Sequence, residues 1–440
     1  MKLSGWGLYP QIETQVIQPR SLDELIKEVK STNSFIPRGQ GRAYGDSALN
    51  DKCVLSTVRL NRMIAFDDMT GVLTCESGVT IDDVLSVFVP RGWFIAVTPG
   101  TRFISLGGAI ASDVHGKNHH KVGSFSSCVR RFDLLLSSGD IVKCSRDENA
   151  DLFEATFGGM GLTGVVTRVE LMLDQVESAY VRQRTIKASN LTEVMRAFEE
   201  TKDWTYSVAW IDCLATGDSL GRSVLTLGEH ASAAESVGLA KGAPLVSAKK
   251  PKLSVPFSFP SFALNTLTVR VFNELYYRKA KSGDSVVPYE GFFYPLDRIL
   301  NWNRIYGKRG FTQYQCVIPL EHSEQGLQEL LHAISNSGLG SFLAVLKLFG
   351  KQEGLLSFPA EGYTLALDFP VSAPSLALLS RLDTIVKKYM GRLYLTKDVR
   401  MPAEFFDDTY TGSVEHFRQL RTQFDPEQKI NSLQSKRLDL

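Results

Sequence analysis

The sequence predicts an α+β fold made of two units, because the pattern of strands, helices and turns changes near residue 175. Before that point, short β-like runs alternate with helices and three glycine-rich turns. After Asp174, long apolar strands alternate with helical runs, a pattern typical of an antiparallel sheet with helices on one face. With 440 residues, the chain is also long enough for two or three domains.

The composition is that of a globular protein and excludes several classes of function. Hydrophobic residues make up 43% and charged residues 22%, and a net charge of +1 gives no sign of a nucleic-acid partner. The six cysteines lie far apart without a CxxC pair, so we expect reduced thiols, no disulfide framework and no metal site. We find no signal peptide and no apolar run of ~18–20 residues, and we expect a cytoplasmic protein with at most peripheral contact at the inner membrane.

Three helices and a hairpin are expected in the first unit. Two of the helices begin with Ser or Thr followed three residues later by an acid, the spacing of a capping box. The hairpin is framed by two β-like runs around Ser138-Gly139-Asp140. The expected helices are Ser21–Lys30, Thr80–Val89 and Leu152–Phe157, and the expected strands include Gly92–Pro99, Phe132–Leu136, Ile141–Cys144 and Val165–Leu173.

In the second unit, β-branched and aromatic residues dominate six runs that we expect to be strands. Three helical runs lie between them. The strands are Tyr180–Ala188, Tyr206–Asp212, Ser223–Leu227, Tyr314–Pro319, Phe342–Phe349 and Tyr363–Phe369, and the helices are Leu191–Thr201, Glu324–Ser337 and Pro374–Tyr389.

Glycine-rich turns are the main functional signal of the first unit. The central one, Pro99–Phe125, reads PGTRFISLGGAIASDVHGKNHHKVGSF; the others are Arg38–Asp46 and Gly158–Gly164. Glycine lets a ligand approach the backbone, and successive N–H groups in such turns can bind a phosphate. Ser105–Ala111 would form the floor under a flat cofactor that carries a diphosphate, and the two arginines of Arg38–Asp46 suit that diphosphate. Structural turns without a ligand are the alternative.

Residues 229–262 break the pattern of the second unit, because they are rich in Ala, Ser, Gly and Pro. Long segments of this kind are usually lids or mobile loops. Three lysines at Lys249, Lys250 and Lys252 precede several aromatic residues up to Phe262. This combination suits a membrane surface, while an insertion without a partner is the alternative.

The three glycine-rich turns resemble the FAD-binding loops of the vanillyl-alcohol-oxidase class of flavoproteins. Short sequence motifs in the second half of the chain narrow the resemblance from this class to one family. Together, and in this order over nearly the whole chain, the motifs resemble the decaprenylphosphoryl-β-D-ribose 2′-oxidase family. The motifs of the second half are ELYYRK (274–279), FFYPLD (292–297), WNRIYG (302–307), GFTQYQCVIP (310–319), LKLFG (346–350), LSFP (356–359), LDFP (367–370) and GRLYLTKDVR (391–400).

This resemblance implies a two-part FAD-binding domain of the PCMH type, formed by residues 1–175 and a returning segment 392–440. A substrate-binding domain at 176–391 would be inserted between them, with a mobile segment at about 229–262. The implied reaction is FAD-dependent oxidation of the 2′-hydroxyl of a polyprenylphosphoryl-β-D-ribose to a 2′-keto sugar. It would be the first half of ribose-to-arabinose epimerisation for cell-envelope arabinan. A separate NAD(P)H-dependent short-chain dehydrogenase would complete it.

The resemblance also implies which residues contact the cofactor. Relatives in the wider class attach the flavin to a histidine of the first glycine loop, where this chain has Tyr44, so we expect non-covalent FAD. The expected cofactor residues are Arg38, Gly39, Gln40, Gly41, Arg42, Ala43, Tyr44, Gly45, Pro99, Gly100, Thr101, Ser105, Gly107, Gly108, Ala111, Ser112, His115, Gly116, Asn118, Gly164, Val165, Tyr394 and Lys397.

Two of these residues are also the expected catalytic groups. Lys397 matches the family's lysine beside the flavin; it would stabilise negative charge on the reduced ring or accept the hydroxyl proton. His115 is the best histidine candidate near the flavin edge. A lysine in an apolar run, such as Lys347, is costly to bury without an anionic partner. The expected substrate-binding residues are Gln315, Lys347, Tyr294, Trp210, Phe349, Lys117 and Asn118.

Two positions depart from the mycobacterial pattern of the family. Ala366 replaces the cysteine to which nitroaromatic inhibitors attach, so we expect no covalent adduct with such compounds. Thr364 replaces an asparagine of the inner pocket. Two other functions compete with the one that the resemblance implies: an FAD-dependent oxidase or dehydrogenase of a free sugar, alditol or aldonolactone, similar to D-arabinono-1,4-lactone oxidases, and a flavin-binding scaffold without turnover.

Overall fold

The computed structural model describes residues 1–240, 243–247, 253–260, 264–341 and 343–440. Its mixture of helices and mainly antiparallel sheets confirms the α+β fold class. The strands are β1 (Lys2–Ser4), β2 (Gln11–Glu13), β3 (Gln15–Ile17), β4 (Ile36–Arg38), β5 (Cys53–Ser56), β6 (Met63–Asp67), β7 (Val72–Glu76), β8 (Trp93–Ile95), β9 (Val129–Leu135), β10 (Ile141–Ser145), β11 (Val165–Gln175), β12 (Tyr180–Ala188), β13 (Tyr206–Ile211), β14 (Ser223–His230), β15 (Leu253–Ser254), β16 (Gly283–Pro288), β17 (Ile299–Leu300), β18 (Phe311–Pro319), β19 (Ala344–Phe349), β20 (Gly362–Pro370) and β21 (Arg392–Leu393).

Helices flank these strands in both halves of the chain. None of the helices in the described residues is long and apolar enough to cross a membrane. They are α1 (Leu22–Ser31), α2 (Ile81–Phe88), α3 (Leu106–Ala111), α4 (His119–Val122), α5 (Ala150–Thr156), α6 (Leu191–Glu200), α7 (Ala233–Ala240), α8 (Thr266–Lys279), α9 (Tyr289–Phe293), α10 (Ser323–Ser337), α11 (Ala373–Lys388), α12 (Ala403–Thr409), α13 (Val414–Phe424) and α14 (Leu433–Leu438).

Two sheets organise the first 175 residues. Strands β3, β5 and β4 form a parallel sheet, so the chain leaves β4 at Arg38 and enters the first glycine-rich turn at the sheet edge. The second sheet has the order β10-β9-β11-β7-β6, with β8 paired to β11. Helix α2 begins with the expected capping box, because Thr80 and Asp83 each accept a hydrogen bond from the other's backbone N–H.

An eight-stranded antiparallel sheet forms the centre of the second half, in the order β16-β12-β14-β13-β19-β20-β18-β21. Helices α6, α10 and α11 pack on one face of it. Side chains alternate between the two faces of a strand, so the apolar runs of β18, β19 and β20 send every second residue into this helix-covered core. The opposite face meets the first unit.

Strand and helix ends differ from the sequence expectations in several places. Ser105–Ala111, expected as the floor under the cofactor within a glycine-rich turn, contains the short helix α3 with Ser105 as its N-cap. The strand expected at Gly92–Pro99 contains only Trp93–Ile95, and helix α8 was not expected. The segment 229–262 contains the end of β14, α7 and β15, but Lys249, Lys250, Lys252 and Phe262 lie outside the described residues.

The C-terminal segment after β21 contacts the first unit. Phe35 N–H donates to the Lys429 carbonyl, and Asn431 N–H donates to the Phe35 carbonyl. Tyr44 N–H donates to the Thr396 carbonyl. Arg437 lies between two buried carboxylates, with N–O distances of 2.9 Å to Asp46 and 2.9 Å to Asp398. This ion cluster therefore ties residues that are almost 400 positions apart in sequence.

Replacing Arg437 by methionine should destabilise the fold strongly. Two buried carboxylates would lose their counter-charge, which costs about 3 kcal/mol of the free energy of unfolding. Burial already raises the pKa of Asp46. Without Arg437 that pKa rises further, so protonation at low pH relieves the penalty, and the loss should be greater near pH 8 than near pH 5. Urea unfolding at both pH values measures it.

Arg184→Met is the matched control, because Arg184 and Asp284 form an ion pair in which both side chains are about half exposed. We expect a loss of less than about 1 kcal/mol there, as for most exposed pairs. Equal losses in the two variants would contradict the role given to the buried cluster.

Candidate functional site

A cavity of about 550 Å³ lies between the glycine-rich turns and the open face of the large sheet. This volume is typical of a site for a cofactor or a small molecule. Its walls come from the three turns, from strands β13, β18, β19 and β20, from α8 and α9, and from Tyr394 to Lys397. The cavity therefore joins segments from the whole length of the chain.

Most residues expected to contact the cofactor line this cavity. Gly45 and Asn118 do not: Gly45 packs against the Asp398 carbonyl, and Asn118 donates to the Ala96 carbonyl. Those that line it are Arg38, Gly39, Gln40, Gly41, Arg42, Ala43, Tyr44, Pro99, Gly100, Thr101, Ser105, Gly107, Gly108, Ala111, Ser112, His115, Gly116, Gly164, Val165, Tyr394 and Lys397.

The first two glycine-rich turns pack directly against each other at this cavity. A Cβ on Gly39 would lie 2.0 Å from Ser105 Oγ, so any side chain at this position would separate the turns. Gly41 has φ +64, a conformation that favours glycine, and a Cβ there would meet the Arg38 guanidinium at 2.2 Å. The contact between the turns at Gly39 and the positive φ at Gly41 both favour glycine before any ligand is considered.

The polar groups that the sequence assigned to a diphosphate already have protein partners. Gly107 N–H donates to Ser77 O, and Gly108 N–H donates to Ser105 Oγ. Arg38 donates to the carbonyls of Ala48 and Ser4. The N–H groups of Gly107 and Gly108 are therefore bound within the protein.

One orphaned group nevertheless fits a bound cofactor. Ser77 Oγ lines the cavity, is fully buried and has no hydrogen-bond partner within the described residues. A buried hydroxyl without a partner costs free energy, which a ligand oxygen or nitrogen would recover. Together with the backbone of Gly39, Gly107 and Gly108 in the lining, it makes the cavity suitable for a flat polar group such as FAD.

Strand alternation explains how polar residues of the large sheet reach the cavity. Gln315 on β18 pairs with Ala366 on β20, which pairs with Val345 on β19; all three line the cavity. Two residues farther along β19, Lys347 has the same orientation, whereas its neighbours Leu346 and Leu348 face the helix-covered core. Lys347 therefore faces the cavity, and the apolar residues on either side of it face the core. The run is apolar because both faces of β19 are covered.

His115 connects the second turn to this sheet face. Its Nε2 lies 3.0 Å from Gln315 Nε2, and its Nδ1 lies 3.1 Å from Lys347 Nζ. Burial, with the nearby Lys347 charge, holds the pKa of His115 well below its usual value, so the ring is neutral at pH 7. The rings of Phe349 and Tyr394 lie at centroid distances of 4.7 and 5.5 Å from it.

Three lysines give the cavity its electrostatic character. The pKa of Lys117, Lys347 and Lys397 is lowered to about 7 in each case, mainly by burial, and for Lys347 the charges of the other two contribute to that shift. Lys117 Nζ also donates to the carbonyl of Phe292 and lies 4.4 Å from the centre of its ring. Partly charged and closely spaced, these amines would be stabilised by an anionic ligand.

Lys397 has two further neighbours that favour its protonated form. Its Nζ lies 3.8 Å from the centre of the Tyr44 ring, a cation–π contact. The charge of buried Asp368 raises the pKa of Lys397 and partly offsets burial. Asp368 accepts a 2.6 Å hydrogen bond from Gln313 and a 3.3 Å one from Tyr306, and burial raises its pKa to about 7.

The expected substrate residues divide into a lining group and a supporting group. Gln315, Lys347, Trp210 and Lys117 line the cavity. Tyr294, Phe349 and Asn118 lie behind the lining instead: Tyr294 OH is 2.6 Å from Thr98 Oγ1, and Phe349 packs against His115. Tyr294 and Phe349 therefore support residues that line the cavity.

Sequence reasoning missed several residues of the site. Gln313 lies two residues before Gln315 on the same strand, so the period of two could have identified it. Asp368, in the motif LDFP, is fully buried, which no local pattern indicates. Ser77 and Tyr276 reach the cavity from β7 and α8 only through the tertiary fold.

Comparisons with known proteins agree with this geometry. Residues 14–145 match the FAD binding domain family. The chain is 34% identical to the decaprenylphosphoryl-β-D-ribose oxidase of Mycolicibacterium smegmatis, over 100% of this chain and 97% of the relative. The chain belongs to this oxidase family.

Other members and more distant relatives support the assignment of an FAD-dependent oxidoreductase. An uncharacterized protein of Streptomyces coelicolor is 32% identical over 82% of this chain and 100% of its own length. The mitochondrial D-2-hydroxyglutarate dehydrogenase of Rattus norvegicus is 26% identical, but over only 37% of this chain and 31% of its own. Like other members of the oxidase family, the chain uses FAD as its cofactor.

The FAD should be released when the protein is denatured. Tyr44 occupies the loop position where a histidyl link would form, and it packs under Lys397 with a pKa raised far above its usual value by burial. A neutral phenol in this position is a poor nucleophile. Acid precipitation of the protein should leave all yellow colour in the supernatant. Flavin that remains on the polypeptide, detected by fluorescence in a denaturing gel, would refute this.

Proposed function

We propose that this protein oxidises the 2′-hydroxyl of a polyprenylphosphoryl-β-D-ribose to the 2′-keto sugar. The observation that carries the proposal is the convergence of Lys117, Lys347 and Lys397 on one cavity in a chain that matches an oxidase of this name over its full length. A free sugar, alditol or aldonolactone carries no negative charge for these amines to bind. A phosphodiester supplies one for Lys347 and Lys117, and it satisfies the desolvation argument for Lys347.

In the proposed reaction, bound FAD would accept a hydride from C2′ of the sugar, and the neutral ring of His115 would take the proton of the 2′-hydroxyl. Lys397 acts as a cation that stabilises negative charge, because the Tyr44 ring and Asp368 both favour its protonated form. Gln315 and the neutral His115 hold the sugar hydroxyls through the face they share. Lys347 and Lys117 bind the phosphate, and Trp210 forms an apolar wall.

The product requires a second enzyme to complete the inversion at C2′. We propose that a separate NAD(P)H-dependent short-chain dehydrogenase reduces the ketone. We also propose a peripheral membrane contact near residues 253–259, which is supported by Leu253 and Phe257, 69% and 64% exposed. Both proposals follow from the chemistry of a lipid-linked substrate.

Anaerobic stopped-flow mixing tests the substrate assignment directly. The flavin absorption should bleach with a prenylphosphoryl-ribose and should not bleach with free ribose, xylitol or an aldonolactone, because these lack the phosphate that the lysines bind. Rapid bleaching with a free polyol or lactone would assign the protein to the alternative class. A flavin-loaded protein that bleaches with none of these compounds would be a scaffold.

Affinity for the substrate should depend on pH in a defined direction. The three lysines are protonated below their pKa of about 7 and neutral above it, whereas a phosphodiester keeps its negative charge throughout. KM should therefore rise between about pH 6 and pH 9. Replacing Lys347 by methionine should raise KM about tenfold near pH 6 and reduce its pH dependence.

Steady-state kinetics over this pH range measures both effects. Lys308→Met is the matched control, because Lys308 is exposed and does not line the cavity. A KM that stays constant with pH in the wild-type enzyme, or an equal rise in the control variant, would be evidence against phosphate binding by Lys347.

A further inference from the structure

Exposed apolar residues are concentrated in one part of this protein. Among the described residues, half of the exposed large hydrophobic side chains fall within 237–276, and α8 carries five of them. Leu267, Val271 and Leu275 recur every four residues and are 71%, 50% and 62% exposed. Residues four apart lie on one face of a helix, so they form a continuous apolar stripe.

Helix α8 is held firmly by its opposite face. Val269 and Asn273 are buried, and Asn273 Nδ2 donates to Asp212 at 2.7 Å. Tyr277 OH, one turn farther along, donates to the Ala188 carbonyl. The stripe therefore stands on an anchored helix with its apolar side toward solvent, which is costly unless something covers it.

The stripe is continuous with the wall of the FAD cavity. Tyr276 lines that cavity and is also 44% exposed on α8. Its ring lies 4.6 Å from Trp210, another lining residue, and 5.9 Å from the stacked ring of Phe272. An apolar path thus leads from the inside of the cavity to the outer surface of α8.

The far side of the stripe forms part of a second cavity of about 520 Å³. Val271 and Leu275 line it together with Leu214 and Ala215. The rest of its lining is polar or charged and includes Asp212, Arg222, Arg270 and Glu274. Arg222 pairs with Asp212 at 2.8 Å and with Glu274 at 2.7 Å. The aliphatic side of this concave surface suits a hydrocarbon chain better than a flat bilayer.

From these observations we infer that the stripe Leu267–Val271–Leu275 and the second cavity bind the first part of the substrate's isoprenoid chain. This inference rests on the proposed function, since only a lipid-linked sugar has such a chain. The FAD cavity must hold both the cofactor and the sugar phosphate, so the chain has to leave it. Each methylene covered by protein on the way is stabilised relative to exposure to water. Because an α-helix rises about 1.5 Å per residue, Leu267 lies about 14 Å from Tyr276. This distance sets the length of isoprenoid chain that the stripe covers.

The test compares farnesylphosphoryl-ribose with methylphosphoryl-ribose in solution without detergent. The triple variant Leu267→Ser, Val271→Ser, Leu275→Ser should raise KM for the farnesyl substrate about tenfold, with kcat unchanged. KM for the methyl substrate should not change, because it lacks the chain. The control Ile64→Ser, Met69→Ser removes exposed apolar residues on β6 and in the adjoining turn and should alter neither value.

Several results would overturn the inference. One is a triple variant whose KM for the farnesyl substrate is unchanged, and another is an equal rise of KM for both substrates. A third is a triple variant that no longer binds anionic phospholipid vesicles but keeps its farnesyl kinetics, which would assign the stripe to a bilayer. Leu267→Ser alone, the most exposed of the three, should show a smaller rise of the same kind if the triple variant folds poorly. Failure of the wild-type enzyme to oxidise either substrate would instead reject the proposed function.

Discussion

Burial of the polar face of the large sheet against the glycine-rich turns is the constraint on which the rest of the structure depends. One face of the sheet is covered by helices and is apolar, as expected for a half-buried antiparallel sheet. The other carries Gln315, Lys347 and Asp368 in a space from which most water is excluded. This exclusion lowers the pKa of the lysines to about 7 and raises that of Asp368 to a similar value.

Such a face is unstable unless the two units are held together independently of any ligand. The contact of Gly39 with Ser105 closes the turns on each other, and the C-terminal segment fastens them to the sheet. The ion cluster of Arg437 does the same from the far end of the chain. The fold therefore offsets the cost of a charged cavity with contacts that lie outside it, so the cavity residues are available for chemistry.

The two cavities divide the demands of a lipid-linked substrate. The first holds three buried lysines in a space with little water, which suits hydride and proton transfer. The second has an aliphatic side formed by Leu214, Val271 and Leu275, and Tyr276 packs against Trp210 in the wall of the first. A single helix, α8, thus contributes to both cavities. Its aromatic Tyr276 lines the first, and Val271 and Leu275 of its aliphatic stripe line the second.

By itself, the sequence determined the α+β class, most strand positions and the three glycine-rich turns. Those features depend on local patterns: alternation in β12, β18 and β20, capping residues at α2, and glycine where a side chain has no room. The cofactor and the family followed from motifs, which are also local strings. Tertiary structure alone decided that the amides of Gly107 and Gly108 bind within the protein and that Tyr294 and Phe349 support the cavity wall. It also decided that Asp368 lies close enough to Lys397 for its charge to raise the pKa of that lysine. The burial of a side chain and its hydrogen-bond partners depend on residues hundreds of positions away in sequence. A local pattern of residues therefore cannot predict them.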